Sequence, residues 1–207
     1  MIGLPGEEDE DIVETVEMIK RIRAKMDAVG NKGELVISVN GFVPKPFTPF
    51  QWASQCTKDE FIEKAYLTRK AISEQLNQKS IKYNWHEADA SVLEGVLARG
   101  DRRLCEVIRR VYAKGSFYDA WSEFYDNDRW LDTIEECGLS VDFYTHRERS
   151  LDEILPWDFI DCGVTKEFLK REWEKAQREE VSANCKLKCQ GCGAAQFGVG
   201  ICFQPRA

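Results

Sequence analysis

A chain of 207 residues has room for one large domain or two small ones around a real hydrophobic core, which excludes a disulfide-stapled miniprotein. With 43% hydrophobic and 11% aromatic residues it is not disordered over most of its length, and 31% charged residues point to a helix-rich globular protein. Lys and Arg number 29 against 36 Asp and Glu, a net charge of −7 that argues against non-specific duplex binding by phosphate neutralisation.

The opening Met1-Ile2-Gly3-Leu4-Pro5-Gly6 is a short apolar stub closed by Pro-Gly, the pattern of a buried strand end and its turn. It lacks the basic and long apolar segments of a signal peptide, and no run of 18 apolar residues follows, so no membrane contact and a cytoplasmic location are expected. Five acids, Glu7 to Asp11, then start a helix with apolar Ile12, Val16, Ile19, Ile22 and Met26 at three- and four-residue spacing, stopped by Gly30 to Gly33. Leu35 to Val43 is β-branched and predicts one fully buried strand, giving a βαβ unit. Pro44, Pro46 and Pro49 make the next stretch, to Trp52, a rigid loop.

Thr57-Lys58-Asp59-Glu60 is a capping box that opens a helix running to about Lys79, with apolar Phe61, Ala65, Leu67, Ile72 and Leu76. Ile81 to Trp85 alternates like a strand. Helices are then predicted over about Ala90–Arg99, Arg102–Ala113, Tyr118–Phe124, Asp128–Cys137 and Lys166–Glu180, with Val141 to Gly163 irregular but rich in buried aromatics. The expected class is α+β or mainly α: residues 1–55 a βαβ unit, 56–180 a helical region and 181–207 a cysteine-rich tail that needs a staple to hold a shape.

Four of the eight cysteines are scattered singly (Cys56, Cys105, Cys137, Cys162), and four crowd together as Cys185, Cys189, Cys192 and Cys202. Close thiolates can converge on one ion or cluster, so these four are candidate ligands for zinc or an iron–sulfur cluster, with Lys186 and Lys188 offsetting their charge. A frayed run of free thiols is the plain alternative. Arg99, Arg102, Arg103, Arg109, Arg110 and Lys114 against Asp101 and Glu106 make six bases against two acids, a local +4. Such a run fits RNA phosphate or an acidic partner, but more often it is a solvated helix face, and no aromatic stacking pattern interrupts it. His86 and His146 stand without a neighbouring nucleophile or ligand spacing and read as surface or packing residues. The Trp and Phe positions read as core.

Several segments together resemble a known family: Met1 to Glu7, Phe42 to Trp52, Leu93 to Arg103, Phe117 to Trp121, Leu155 to Asp161 and the cysteine-rich tail. They are similar to the C-terminal part of an uncharacterised bacterial family of radical S-adenosylmethionine proteins, in which a cobalamin-binding-like domain often precedes the radical barrel. The resemblance spans nearly the whole chain. It implies that residues 1–55 are the last two strands of a (β/α) barrel, that Met1 is an internal methionine of a longer parent, and that the missing barrel half is the chain's partner.

It further implies that Gly3, Pro5 and Gly6 shape a turn against S-adenosylmethionine, that Glu7 touches that ligand, and that Asn40, Phe42 and Val43 meet its adenine. Ordinary strand-end punctuation and helix-start charge account for the same residues without a ligand. The family's catalytic C-x3-C-x2-C loop lies upstream and is absent, so no catalytic residue is expected here. Cys185-x3-Cys189-x2-Cys192 has that spacing, but only 15 residues follow it, too few for a barrel, so it reads as a structural or auxiliary site. Where the family tends to add C-G-x-C, this chain has Ala195, which leaves Cys202 as the substitute ligand or the set incomplete. The leading expectation is a C-terminal fragment of a radical S-adenosylmethionine enzyme of unknown substrate. The alternatives are a non-catalytic α-rich scaffold module with a metal staple and possible RNA contact, and a partial gene product without independent function.

Overall fold

The computed structural model describes residues 1–75 and 80–197; Leu76 and Cys202, both singled out above, lie outside the described residues. The architecture is mainly helical with a small parallel sheet: α1 (Asp9–Ala28), β1 (Leu35–Val39), α2 (Lys58–Gln75), β2 (Ile81–Trp85), α3 (Ala88–Arg99), α4 (Leu104–Ala113), α5 (Asn127–Glu136), the single turn α6 (Val141–Tyr144) and α7 (Lys166–Gln177). Short 3-10 turns cover Pro49–Trp52 and Ala194–Phe197. No helix among the described residues is long and apolar enough to cross a membrane.

Helix α1 starts where Asp11 accepts a 2.9 Å bond from the Glu8 amide. Its buried stripe runs Ile12, Val16, Ile19, Arg23, not on to Ile22 and Met26. Spacings of four, three and four keep one face of a 3.6-residue helix inward, and that sequence reaches position 23. Arg23 can take it because its guanidinium donates to the Asn31 and Gly33 carbonyls at 2.7 and 2.8 Å, closing the turn that leads to the sheet.

Strands β1 and β2 pair in parallel from Leu35↔Ile81 to Val39↔Trp85, and Ile2 bridges Gly41 in parallel on the other side of β1. The stub is held by Ile2 N–H to Asn40 O at 3.0 Å and Phe42 N–H to Ile2 O at 2.7 Å. Three parallel positions therefore lie side by side in chain order, joined by α1 and α2. Both helices cover the same sheet face: Val16 and Ile19 of α1 meet Ile72 of α2 over Leu35, Ile37, Ile81 and Tyr83, while Phe61 and Ala65 pack on Ile2 and Val39. Residues on both sides of position 55 share these cores. On the opposite face Val36, Ser38, Lys82 and Asn84 are exposed. The expectation of a fully buried strand over Leu35 to Val43 is thus corrected: the strand is five residues long and buried on one face, because among the described residues no second layer covers the other.

The proline loop ends in Trp52, which is fully buried among Phe42, Leu155, Trp157, Leu169 and Trp173. Gln51 fixes that core with one oxygen, which accepts from Trp157 Nε1 at 2.7 Å and from the Phe47 amide at 3.1 Å. Helices α3, α4 and α5 pack around Leu93, Val96, Val107, Val111, Trp130, Ile134 and Tyr144. The helix predicted over Tyr118–Phe124 is a succession of turns, with Tyr118, Trp121 and Phe124 all more than half exposed and Tyr118 in edge-on contact with Trp121 and tilted contact with Phe124. The segment presents no stripe to the core. Asp119 pins it instead by accepting from Trp130 Nε1 at 2.7 Å. The reading of Trp and Phe as core holds for Trp52, Trp130, Trp157, Trp173, Phe42 and Phe61 and fails for Trp121, Phe117, Phe124, Phe143 and Phe159, which are exposed.

Candidate functional site

The C-terminal ends of β1 and β2 open onto a cleft of about 430 Å³, walled by Asn40, Phe42, Val43 and Phe50 and rimmed by Lys45, Thr48, His86, Ser91 and Glu94. This is the end of a parallel sheet at which ligands bind across α/β folds, since the loops there diverge and leave a crevice. Phe42 is 6% exposed and stands edge-on to Phe50 with ring centroids 5.7 Å apart, so the wall is rigid and apolar. Lys45 and Glu94 form an ion pair across the rim, joining the proline loop to α3. His86 follows β2 directly and its amide donates to the Val39 carbonyl at 2.9 Å, which carries its ring to the rim. Ser91 Oγ lies 3.5 Å from His86 Nδ1 and donates to the Glu87 carbonyl at 3.2 Å.

Three of the sequence-predicted ligand contacts, Asn40, Phe42 and Val43, are thus brought together. Lys45, His86 and Glu94 were missed. The one available signal for His86 was its position just past an alternating segment, and that signal carries weight only once Ile81–Trp85 is known to pair with β1.

The other predicted contacts lie elsewhere. Pro5, Gly6 and Glu7 line a separate groove of about 490 Å³ with Asp11, Glu14 and Arg21, and only Met1 borders both spaces. The Glu7 carboxylate accepts from the Gly3 amide at 2.8 Å and from Lys64 Nζ at 2.7 Å, so it ties the turn to α2. Gly3 has φ +83°, and a Cβ there would stand 2.4 Å from Cys56 Sγ. Burial, then Glu60 and Glu7, push the Cys56 thiol up, which keeps it protonated and suited to this contact.

In the tail Cys185, Cys189 and Cys192 are free thiols, the first two exposed. Their donor chemistry suits zinc or an iron–sulfur cluster. Among the described residues no group of three His, Cys, Asp or Glu side chains is gathered to hold a metal, and Cys202 is not among them. The tail is nonetheless docked: the Thr165 amide donates to the Cys192 carbonyl at 2.9 Å, and Arg171 donates to the Gln190 carbonyl at 2.5 Å. Gly193, at φ +99°, lies so close that a Cβ would stand 2.9 Å from the Gly163 carbonyl.

Most of the +4 run is buried or paired: Arg99 is fully buried, Arg103 is paired with Asp101, Arg109 and Arg110 share Glu106, and Lys114 meets Glu136, while Arg102 is exposed. Hydrogen bonds from Arg109 and Arg110 hold the Glu106 carboxyl down at about 2, well below the usual carboxylate range. A depressed folded-state pKa contributes stability that is present above the unfolded value of about 4.3 and is lost as pH falls toward 2. The Glu106→Gln variant is therefore expected to lose less stability than wild type between pH 5 and pH 2, a small difference measurable by urea denaturation at each pH. His146 is a packing residue, its Nδ1 3.1 Å from the Gln55 carbonyl.

Comparison with known proteins finds one distant likeness to report: the chain is 27% identical over 139 residues to the uncharacterized protein MJ0966 of Methanocaldococcus jannaschii. The aligned residues are 67% of this chain and 29% of the archaeal protein, so the chain matches less than a third of that relative's length. No family model and no solved structure matches the chain.

Proposed function

We propose that this chain is the C-terminal part of a radical S-adenosylmethionine iron–sulfur enzyme, contributing a barrel segment, a helical accessory region and a cysteine-rich metal tail, and that it is not catalytic by itself. The observation that most directly supports this reading is the sheet: three parallel positions in chain order with both crossover helices on one face, as in successive units of a (β/α) barrel, an arrangement that one half of a doubly wound sheet shares. The uncovered face of Val36, Ser38, Lys82 and Asn84 is then the barrel interior, completed by the remaining strands of the parent. The cleft beyond the strand ends is in the size range of a cofactor site. In it Asn40 offers the polar contact for an adenine edge, and Phe42 and Phe50 offer the apolar wall.

Cys185, Cys189, Cys192 and Cys202 would hold the tail's cluster or zinc. A cluster at these thiolates supplies one-electron chemistry, whereas zinc there is a structural staple. The paired and buried arginines of α3 and α4 lend no support to RNA contact.

The test is anaerobic reconstitution of the full chain with iron and sulfide, followed by metal and sulfide analysis. Brown protein with acid-labile sulfide that Cys189→Ser/Cys192→Ser lacks is the expected result, together with no 5′-deoxyadenosine formed by the chain alone. Stoichiometric zinc without sulfide would favour the scaffold module, and no bound metal would remove the site.

A further inference from the structure

Where α3 meets the proline loop and the segment after α6, two arginines are buried together. Arg99 is fully buried and Arg149 is 3% exposed. Arg99 Nη1 donates to the carbonyls of Ala53 and Thr145 at 2.8 and 3.0 Å, and Arg149 Nη2 donates to the Arg99 carbonyl at 2.9 Å. Arg149 also lies over the Trp157 ring, 5.2 Å from its centroid. Neither guanidinium has a carboxylate partner among the described residues. The nearby acids are engaged: Glu153 is held by both terminal nitrogens of Arg147, at 2.6 and 2.8 Å, and Asp101 by Arg103.

What is left over is specific. Arg99 Nε and Nη2 and Arg149 Nε are buried donors without a partner among the described residues. Nε and Nη2 form the edge of a guanidinium that grips an anion with two parallel N–H groups. Burial, then the Arg149 and Arg147 charges, bring Arg99 down to about 9, so it still carries its charge at neutral pH. Glu153 acts on both charges without bonding to either, and two like charges packed with no bonded counter-ion are costly in a protein interior, a cost that an enclosed anion lowers.

We propose that Arg99 and Arg149 together hold a small inorganic anion of halide size, chloride in the cell, through the unpaired N–H groups of their guanidiniums. The complete burial of Arg99 sets the size: a group carried on an organic molecule or on another chain would need an opening to reach that edge. The two arginines already tie the end of α3 to the loop at Ala53 and to the stretch from Thr145 to Arg149, and the ion would hold them in place. This inference is independent of the radical-enzyme reading, since it uses none of the cleft or tail residues.

The experiment compares thermal unfolding of the full chain in sodium chloride and in sodium gluconate of equal ionic strength, with bromide crystallography of the same protein. Saturable stabilisation by chloride of about 5 °C above gluconate is expected, as for a ligand present near 100 times its dissociation constant. An anomalous bromide peak within hydrogen-bond reach of Arg99 Nε and Arg149 Nε is expected beside it. The Arg149→Met variant should lose the chloride dependence. Equal unfolding temperatures in the two salts, a chloride shift undiminished in Arg149→Met, or no bromide peak between the arginines in the wild type would each overturn the proposal. The wild-type crystal decides if the variant does not fold.

Discussion

Replacing Trp52 by alanine is expected to destabilise the protein by about 3–5 kcal/mol, the range for deleting a buried Trp from a packed core. Trp52 is fully buried and sits where residues far apart in the chain converge, Phe42 and Ala53 from one side and Leu155, Trp157, Leu169 and Trp173 from the other. No neighbouring segment is free to collapse into the space. Phe50 bridges Phe42 and Trp173 by edge-on contacts at 5.7 and 5.6 Å, and Gln51 is tied to Trp157, so the 3-10 turn that carries Trp52 is held on both flanks. Urea denaturation followed by circular dichroism measures this loss without depending on the deleted fluorophore. A loss below about 1 kcal/mol would mean that the proline loop does not couple the sheet layer to α7. Because Phe42 also walls the strand-end cleft, the variant is expected to loosen that wall as well.

The Gly3→Ala variant is expected to cost about 2–5 kcal/mol through two separable causes. A left-handed residue with a Cβ costs roughly 1–2 kcal/mol, and forcing atoms into a packed contact costs typically 1–3 kcal/mol. Both apply at Gly3, with φ +83° and a Cβ 2.4 Å from Cys56 Sγ and 3.1 Å from Cys56 Cβ. Gly6 has φ +79° with open space around it, so Gly6→Ala carries only the first cost. The double variant Gly3→Ala/Cys56→Ala is expected to recover about 1–2 kcal/mol relative to the sum of the single changes, read from a double-mutant cycle of urea midpoints. Zero coupling would assign the whole cost to the backbone. The prediction matters for function because the glycine suggested by resemblance as a ligand-approach residue is already required by its contact with Cys56.

The local elements were legible because each is written in a short window. The capping box at Thr57 to Glu60 forms as expected, with the Thr57 amide 2.7 Å from the Glu60 carboxylate. Helices α3, α4, α5 and α7 fall within a few residues of their predicted bounds, whereas the opening stub pairs through a single parallel bridge and is not a full strand. The Tyr118–Phe124 segment was misread because its aromatic density mimics a buried helix. What cancels the pattern is a side-chain bond from Trp130 to Asp119, eleven residues away.

The site divides in the same way. Asn40, Phe42 and Val43 lie next to one another in the chain at a strand end, so any parallel pairing of that strand brings them to one crevice. His86 and Glu94 join them only because β2 pairs with β1 and α3 follows it closely, a long-range fact with no local signature. Arg99 and Arg149, fifty residues apart, were indistinguishable from solvated bases until packing buried them.

By itself, then, the sequence determined where most of the helices lie, that the chain holds a cysteine-rich tail, and that its class is mainly helical with a small strand component. These follow from propensity, periodicity and turn chemistry, which act over a few residues. Only the tertiary structure decided that β2 extends the sheet as a third parallel position, that both crossover helices lie on one face, that most of the basic run is paired or buried, and that two arginines share one interior. Each of those outcomes depends on which distant segments exclude water from one another, and burial free energy depends on the area removed rather than on the order of residues along the chain.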